Sequence, residues 1–254
     1  MATGRQSSMP NNPNKPFLSK ESILLLGDGF CFCAPGQKKY YPFSDFTGNL
    51  EENLASFVQQ QSLSDQVQWI VMNAPTAVVP SLNYEEELQN SYWESFSVKT
   101  TDPLKSHISS NGLVRFVYPY PQKLADILSN PIVIPSFALL YDRIMEQSQS
   151  NFNTQIYVHL YTHHFDLFIT QGTRLLMSNS YSQQNEEDFM YYLFYAAEQL
   201  KISENNSTLY FLGEFEQYTS YYEGTKNFQK DIQFIDTHQG IELDVNDPVP
   251  FWNA

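Results

Sequence analysis

Positive charge is scarce in this chain. Its 254 residues include 28 acidic side chains and 14 Lys and Arg, a formal net charge of -14. The basic residues are scattered, with Lys38 and Lys39 the one adjacent pair. Phosphate backbones are held by clustered cations, so this distribution argues against nucleic acid as a partner. The acidity reads as a solubility device. Cysteine is nearly missing as well, with Cys31 and Cys33 alone. Two positions apart on a strand they would share a face, but that spacing suits a disulfide poorly, and no further Cys or His lies nearby to complete a metal site. The pair reads as two small buried hydrophobes. Long apolar runs are absent too: none approaches the roughly 20 residues that span a bilayer. Residues 1–16 are polar and rich in Asn and Pro, without the apolar middle of a signal peptide, which leads to the expectation of a flexible tail on a cytoplasmic protein. No Walker loop, nucleophile elbow or series of zinc ligands occurs.

Aromatics are plentiful: 19 Phe and 17 Tyr within a hydrophobic content of 42%. Such a chain can bury a core despite its polarity. Ser22–Leu26 and Gly29–Ala34 read as a hairpin about Asp28-Gly29, and Lys39–Phe43 as a third strand. A helix is predicted from Asn49 to Gln61, with Leu50, Leu54, Phe57 and Val58 as its apolar stripe. Gln68–Met72 reads as a strand buried on both faces. Tyr84–Phe96 is expected to be helical through Leu88, Tyr92 and Phe96, and 99–112 to be a loop. Leu113–Tyr118 and Ile132–Ile134 read as strands on either side of a short helix at Gln122–Leu128. Ser136 is expected to cap a helix striped by Phe137, Leu140, Tyr141 and Ile144.

The second half has clearer periods. Ile156, Val158 and Leu160 alternate with Tyr157, His159 and Tyr161. Phe165–Thr170 and Arg174–Ser180 continue as strands about a Gln171-Gly172 turn. Asn185 reads as an N-cap with Glu186, Glu187 and Asp188 in the first turn, where acids complement the helix dipole. Thr208–Leu212 is a further strand, Phe215–Lys226 a candidate helix and Ile232–Ile235 a last strand, with Pro248–Ala254 expected to lie over the surface. The two halves repeat one order: hairpin, third strand, helix, strand. The expected organisation is a tail over 1–16, one lobe over 17–135 and a second over 136–254.

Ile23–Phe32 together with Thr154–Gly213 resembles an uncharacterised bacterial family with an actin-like ATPase fold. The run Glu187-Asp188-Phe189-Met190-Tyr191-Tyr192-Leu193-Phe194 and the strand ending Leu212-Gly213-Glu214 carry most of the likeness. The resemblance implies an α/β chain of duplicated ribonuclease-H-like architecture, its two lobes each holding a mixed five-stranded sheet and facing a cleft. It also implies where phosphate loops would lie. ATPases of this fold place an Asp near the end of a first strand and Gly and Ser or Thr in the turn, for magnesium and for close approach of backbone N–H groups. Here His159 stands at the metal-side carboxylate, Tyr161 where Gly is needed, and Leu24 at the Asp of the first lobe. One Gly, Gly213, remains in the adenosine loop. ATP hydrolysis is therefore not expected, and nuclease chemistry lacks the carboxylate cluster it needs on the opening strand.

Asp28, Asp166 and Glu214 could converge at the cleft as a weak metal or ligand site, or stand as a turn residue, a strand-edge carboxylate and a solvated loop carboxylate. His163 and His164 point to opposite faces if the strand is regular, so together with His159 they read as structural histidines unless a turn redirects them. Tyr191 and Tyr195 lie four apart on one helical face and mark either a partner interface or buried packing. No cofactor or metal is expected. The function expected is a non-catalytic scaffold holding a protein partner, as pilus and secretion assembly proteins of this architecture do. The alternative is a divergent nucleotide- or metabolite-binding enzyme using the inter-lobe cleft.

Overall fold

The computed structural model of the chain describes residues 6–8, 22–26, 29–34, 37–45, 50–61, 67–72, 74–95, 99–121, 131–148, 152–161, 163–212 and 219–236. In chain order the strands are Gln6–Ser8 (β1), Ser22–Leu25 (β2), Gly29–Ala34 (β3), Gln37–Pro42 (β4), Gln68–Val71 (β5), Ala77–Pro80 (β6), Leu104–Ile108 (β7), Val114–Pro119 (β8), Ile132–Pro135 (β9), Thr154–Leu160 (β10), His164–Gln171 (β11), Arg174–Ser182 (β12), Ser207–Leu212 (β13) and Ile232–Asp236 (β14). Two compact units divide the chain: Leu18–Asp142, and Met1–Phe17 with Arg143–Ala254.

The Leu18–Asp142 unit holds a five-stranded sheet in the order β4-β3-β2-β5-β9. β2 and β3 pair antiparallel, closed by the Leu26 N–H donating to the Gly29 carbonyl at 2.9 Å. β5 lies inside this sheet with parallel neighbours on both sides, and its Trp69 and Ile70 are buried. The Leu50–Gln61 helix packs Leu54 and Phe57 onto Ile23, Phe30 and Phe32 in one core cluster. Gly29 is needed where it stands: a Cβ there would sit 2.5 Å from the Tyr40 ring and 2.6 Å from the Tyr41 carbonyl oxygen. Cys31 and Cys33 share a buried face with their sulfurs 3.8 Å apart.

A second, three-stranded antiparallel sheet runs β6-β8-β7. The expected loop over 99–112 is corrected here, because β7 lies within it. β7 buries no residue, so no apolar alternation announces it. The helix expected over 84–96 shortens to Gln89–Glu94, preceded by a 3-10 turn at Glu86–Leu88. Leu88 is exposed, and the buried side chain is Trp93, which packs with Ala77, Val79 and Val117. The expected helix at 122–128 and the C-terminal stretch 248–254 lie outside the described residues.

The other unit holds a six-stranded sheet, β1-β14-β13-β10-β11-β12. Five of its strands come from 154–236. The sixth, β1, lies inside the expected tail and pairs parallel with β14. Ile156, Val158, Leu160, Phe165, Leu167, Ile169, Leu209 and Phe211 form the apolar face of this sheet, covered by Phe189, Leu193 and Ala196 of the Glu186–Gln199 helix and Tyr222 of the Thr219–Thr225 helix. Phe165 meets Phe189 edge-on at 4.9 Å between centroids. The Ser136–Ser148 helix buries its expected stripe of Phe137, Leu140, Tyr141 and Ile144.

Candidate functional site

The period of two along β10 and β11 that buries one face against helices sends a different set to the other face. On β10 these are Gln155, Tyr157 and His159; on β11, Asp166, Phe168 and Thr170. All six are buried. The antiparallel register sets His159 opposite Asp166, Tyr157 opposite Phe168 and Gln155 opposite Thr170, while Ser180 of β12 stands opposite Asp166 on the far side. Tyr157 stacks on Tyr210 of β13 at 4.9 Å and 16°. This second face is thus polar and aromatic rather than aliphatic.

The turn between β10 and β11 concentrates ionisable groups. Tyr161 stacks on His164 at 4.2 Å and 9° and meets His159 edge-on at 4.3 Å and 76°. Gln183, at the end of β12, ties the turn down twice. Its backbone N–H donates to the His163 carbonyl at 2.9 Å and its side-chain amide to the Tyr161 carbonyl at 3.1 Å. The Ser180 hydroxyl donates to the Asp166 carboxyl. Burial pushes that carboxyl up to about 7 against the opposing hydrogen bonds from Ser180 and Tyr161. Burial, helped by the charge of His164, holds His159 down at about 3. Burial and His163 hold His164 down at about 4. At neutral pH both imidazoles are therefore uncharged, and Asp166 is divided between its two forms.

Around this turn the rings of His159, Tyr161 and His164 lie in contact. No group of three or more His, Cys, Asp or Glu able to hold a metal ion occurs among the described residues. Of the sequence-derived trio, Asp166 is placed inside the sheet, while Asp28 and Glu214 lie outside the described residues. In the first hairpin, Leu24 at the expected Asp position is fully buried. Tyr191 and Tyr195 are 62% and 48% exposed and stack on each other at 5.9 Å. The sequence reading missed Ser180 and Gln183. The only clue to them was the strand spacing that brings β12 back beside β11.

A family model described as "Protein of unknown function (DUF3822)" matches residues 22–232. No curated protein is significantly similar to the chain. Among solved structures, a protein from Bacteroides thetaiotaomicron VPI-5482 with an actin-like ATPase fold and unknown function superposes with a TM-score of 0.71 at 18% identity, over 85% of this chain and 91% of that one. A PilM-PilN type IV pilus biogenesis complex gives a TM-score of 0.44 at 10% identity, over 87% and 89%. The AlfA filament from a B. subtilis plasmid gives 0.42 at 10%, over 92% and 96%. The first likeness shows the fold to be that of the actin-like ATPases. No helix among the described residues is long and apolar enough to cross a membrane.

Proposed function

This chain belongs to the DUF3822 family, whose function is unknown, and we propose that it is a binding scaffold: an actin-like ATPase body that no longer cleaves nucleotide and instead holds a protein partner. The observation that carries the proposal is the ring-filled turn between β10 and β11. Phosphate transfer needs donors and cations aimed at the charge that develops. At this turn stand Tyr161, stacked on one neutral imidazole and edge-on to another, and a buried carboxyl. A carboxyl raised to about 7 and tied to Ser180 is a poor magnesium ligand, because half of it is protonated at neutrality. Incubating the purified full chain with magnesium and ATP is expected to release no phosphate above buffer. Steady turnover abolished by Asp166→Asn overturns the proposal.

The same raised carboxyl favours a second reading, a divergent nucleotide- or metabolite-binding enzyme, since a group poised near the working pH suits proton transfer. Thermal-shift measurements with nucleotides and divalent cations separate the two. A ligand bound only by the folded chain raises its melting temperature by mass action. No shift at millimolar ligand removes the second reading.

A further inference from the structure

The outer face of the Glu186–Gln199 helix is built like a cation-binding surface. Its inner face is spent on Phe189, Leu193 and Ala196. Outward, at helical spacing, stand Glu187, Tyr191, Tyr195 and Glu198, all exposed. The two tyrosines are stacked at 13° between planes, so each pre-orders the other. Beside them Phe228 remains 52% exposed, its ring 4.7 Å from that of Phe194. Phe228 is held there by its neighbour: buried Gln229 donates to the Ser207 carbonyl at 2.7 Å. These rings border a groove of about 400 Å³ whose charged lining groups are Glu187 and Glu198. Phe194 and Phe228 also line a smaller cavity of about 70 Å³, walled further by Ile156, Leu193 and Leu209.

Elsewhere the chain covers its own tyrosines with cations. Lys105 lies 3.5 Å from the centre of the Tyr120 ring, and Arg115 lies 4.6 Å from that of Tyr84. Among the described residues no Lys or Arg lies over Tyr191 or Tyr195. Two ordered π faces flanked by two carboxylates, on a chain of net charge -14, complement a positively charged partner. Rigid rings that lose little freedom on contact suit an apolar anchor.

We infer that this groove docks a short basic segment of another protein, with Lys or Arg over Tyr191 and Tyr195 and against Glu187 and Glu198, and an apolar side chain seated at Phe194 and Phe228. The inference deepens the scaffold reading and rests on it. Random short peptides displayed on phage are selected against the full chain, and the best is synthesised with a fluorescent label. Expected are sequences combining Lys or Arg with Leu, Phe or Trp. Their affinity should fall about tenfold for Tyr191→Ala/Tyr195→Ala, by a similar factor for Glu187→Gln/Glu198→Gln, and further as salt rises. Retained cooperative melting shows that both exposed pairs leave the fold intact. No enrichment, enrichment of acidic peptides, or binding that neither variant weakens overturns the inference. So does a dimer of the chain that Tyr191→Ala/Tyr195→Ala dissociates, since the occupant is then a second copy. These results leave the scaffold reading in place, whereas Asp166-dependent ATP turnover removes that reading itself.

Discussion

Asp166 and the two histidines near it pull stability in opposite directions with pH. The folded carboxyl titrates at about 7 against an ordinary 3.8. Between those values the folded chain holds a proton that the unfolded chain releases. This group's contribution is therefore full below the unfolded value and lost as pH rises to about 7. His159 and His164, held at about 3 and about 4 against 6.5, act in the reverse sense: their share is present above 6.5 and lost as pH falls. Asp166→Asn removes only the first effect. Its melting temperature relative to the native chain is expected to climb between about pH 4 and 7 and then level off. A difference that stays flat across that range contradicts the assignment. Tyr157 gives a simpler case. Its hydroxyl is buried with no hydrogen-bond partner among the described residues, while its ring stacks on Tyr210. Tyr157→Phe keeps the stack and removes the cost of a dry hydroxyl, so denaturant unfolding is expected to show stability unchanged or raised by up to about 1 kcal/mol. Gly29→Ala has the opposite sign. The new methyl meets Tyr40 and the Tyr41 backbone, and a loss of about 1–3 kcal/mol is expected by the same measurement. Of these residues, Asp166 and His159 could be singled out from the family resemblance, but neither their burial nor their shifted titration could. Both depend on what stands beside them in space.

Among elements, those that carry their own signal were legible and those that borrow stability from neighbours were not. The Glu186–Gln199 helix announces itself. Asn185 caps it by accepting from the Asp188 N–H at 2.9 Å, and the Asp188 carboxylate accepts in turn from the Gln184 N–H at 3.0 Å. Three acids fill the first turn and the apolar period is complete. Asn185→Ala is expected to cost about 1 kcal/mol, read from thermal or denaturant unfolding, because the first turn then loses its partner. β10 and β11 were equally clear from their alternation. β7 was not. None of its residues is buried, so no apolar alternation announces its pairing with β8, to which the Arg115 guanidinium adds a bond to the Ser106 hydroxyl at 3.3 Å. β6 is only four residues long and ends in proline, and β1 lies in a polar stretch with no period at all. The Gln89–Glu94 helix misled in another way. Leu88, Tyr92 and Phe96 fit a helical stripe, yet Leu88 is exposed and the core contact is made by Trp93.

For the molecule as a whole, a net charge of -14 should oppose compaction at low ionic strength. Raising salt from about 0.01 M to 0.15 M shortens the screening length from about 30 Å to 8 Å, so the melting temperature is expected to rise over that interval in a scanning-fluorimetry series. A fall would mean that specific ion pairs outweigh the general repulsion. The amino-acid order alone determined the α/β character, most strands of both units, the capped helix and the scarcity of basic residues, because each is written in local periodicity, turn chemistry or residue type. Tertiary packing decided the rest: that β1 returns to the edge of β14, that β6, β8 and β7 make a separate sheet, and that Asp166 is buried beside neutral histidines while Tyr191 and Tyr195 face solvent. The physical reason is that burial and pairing are properties of neighbours distant in sequence, and a single residue's identity does not encode which neighbours it will meet.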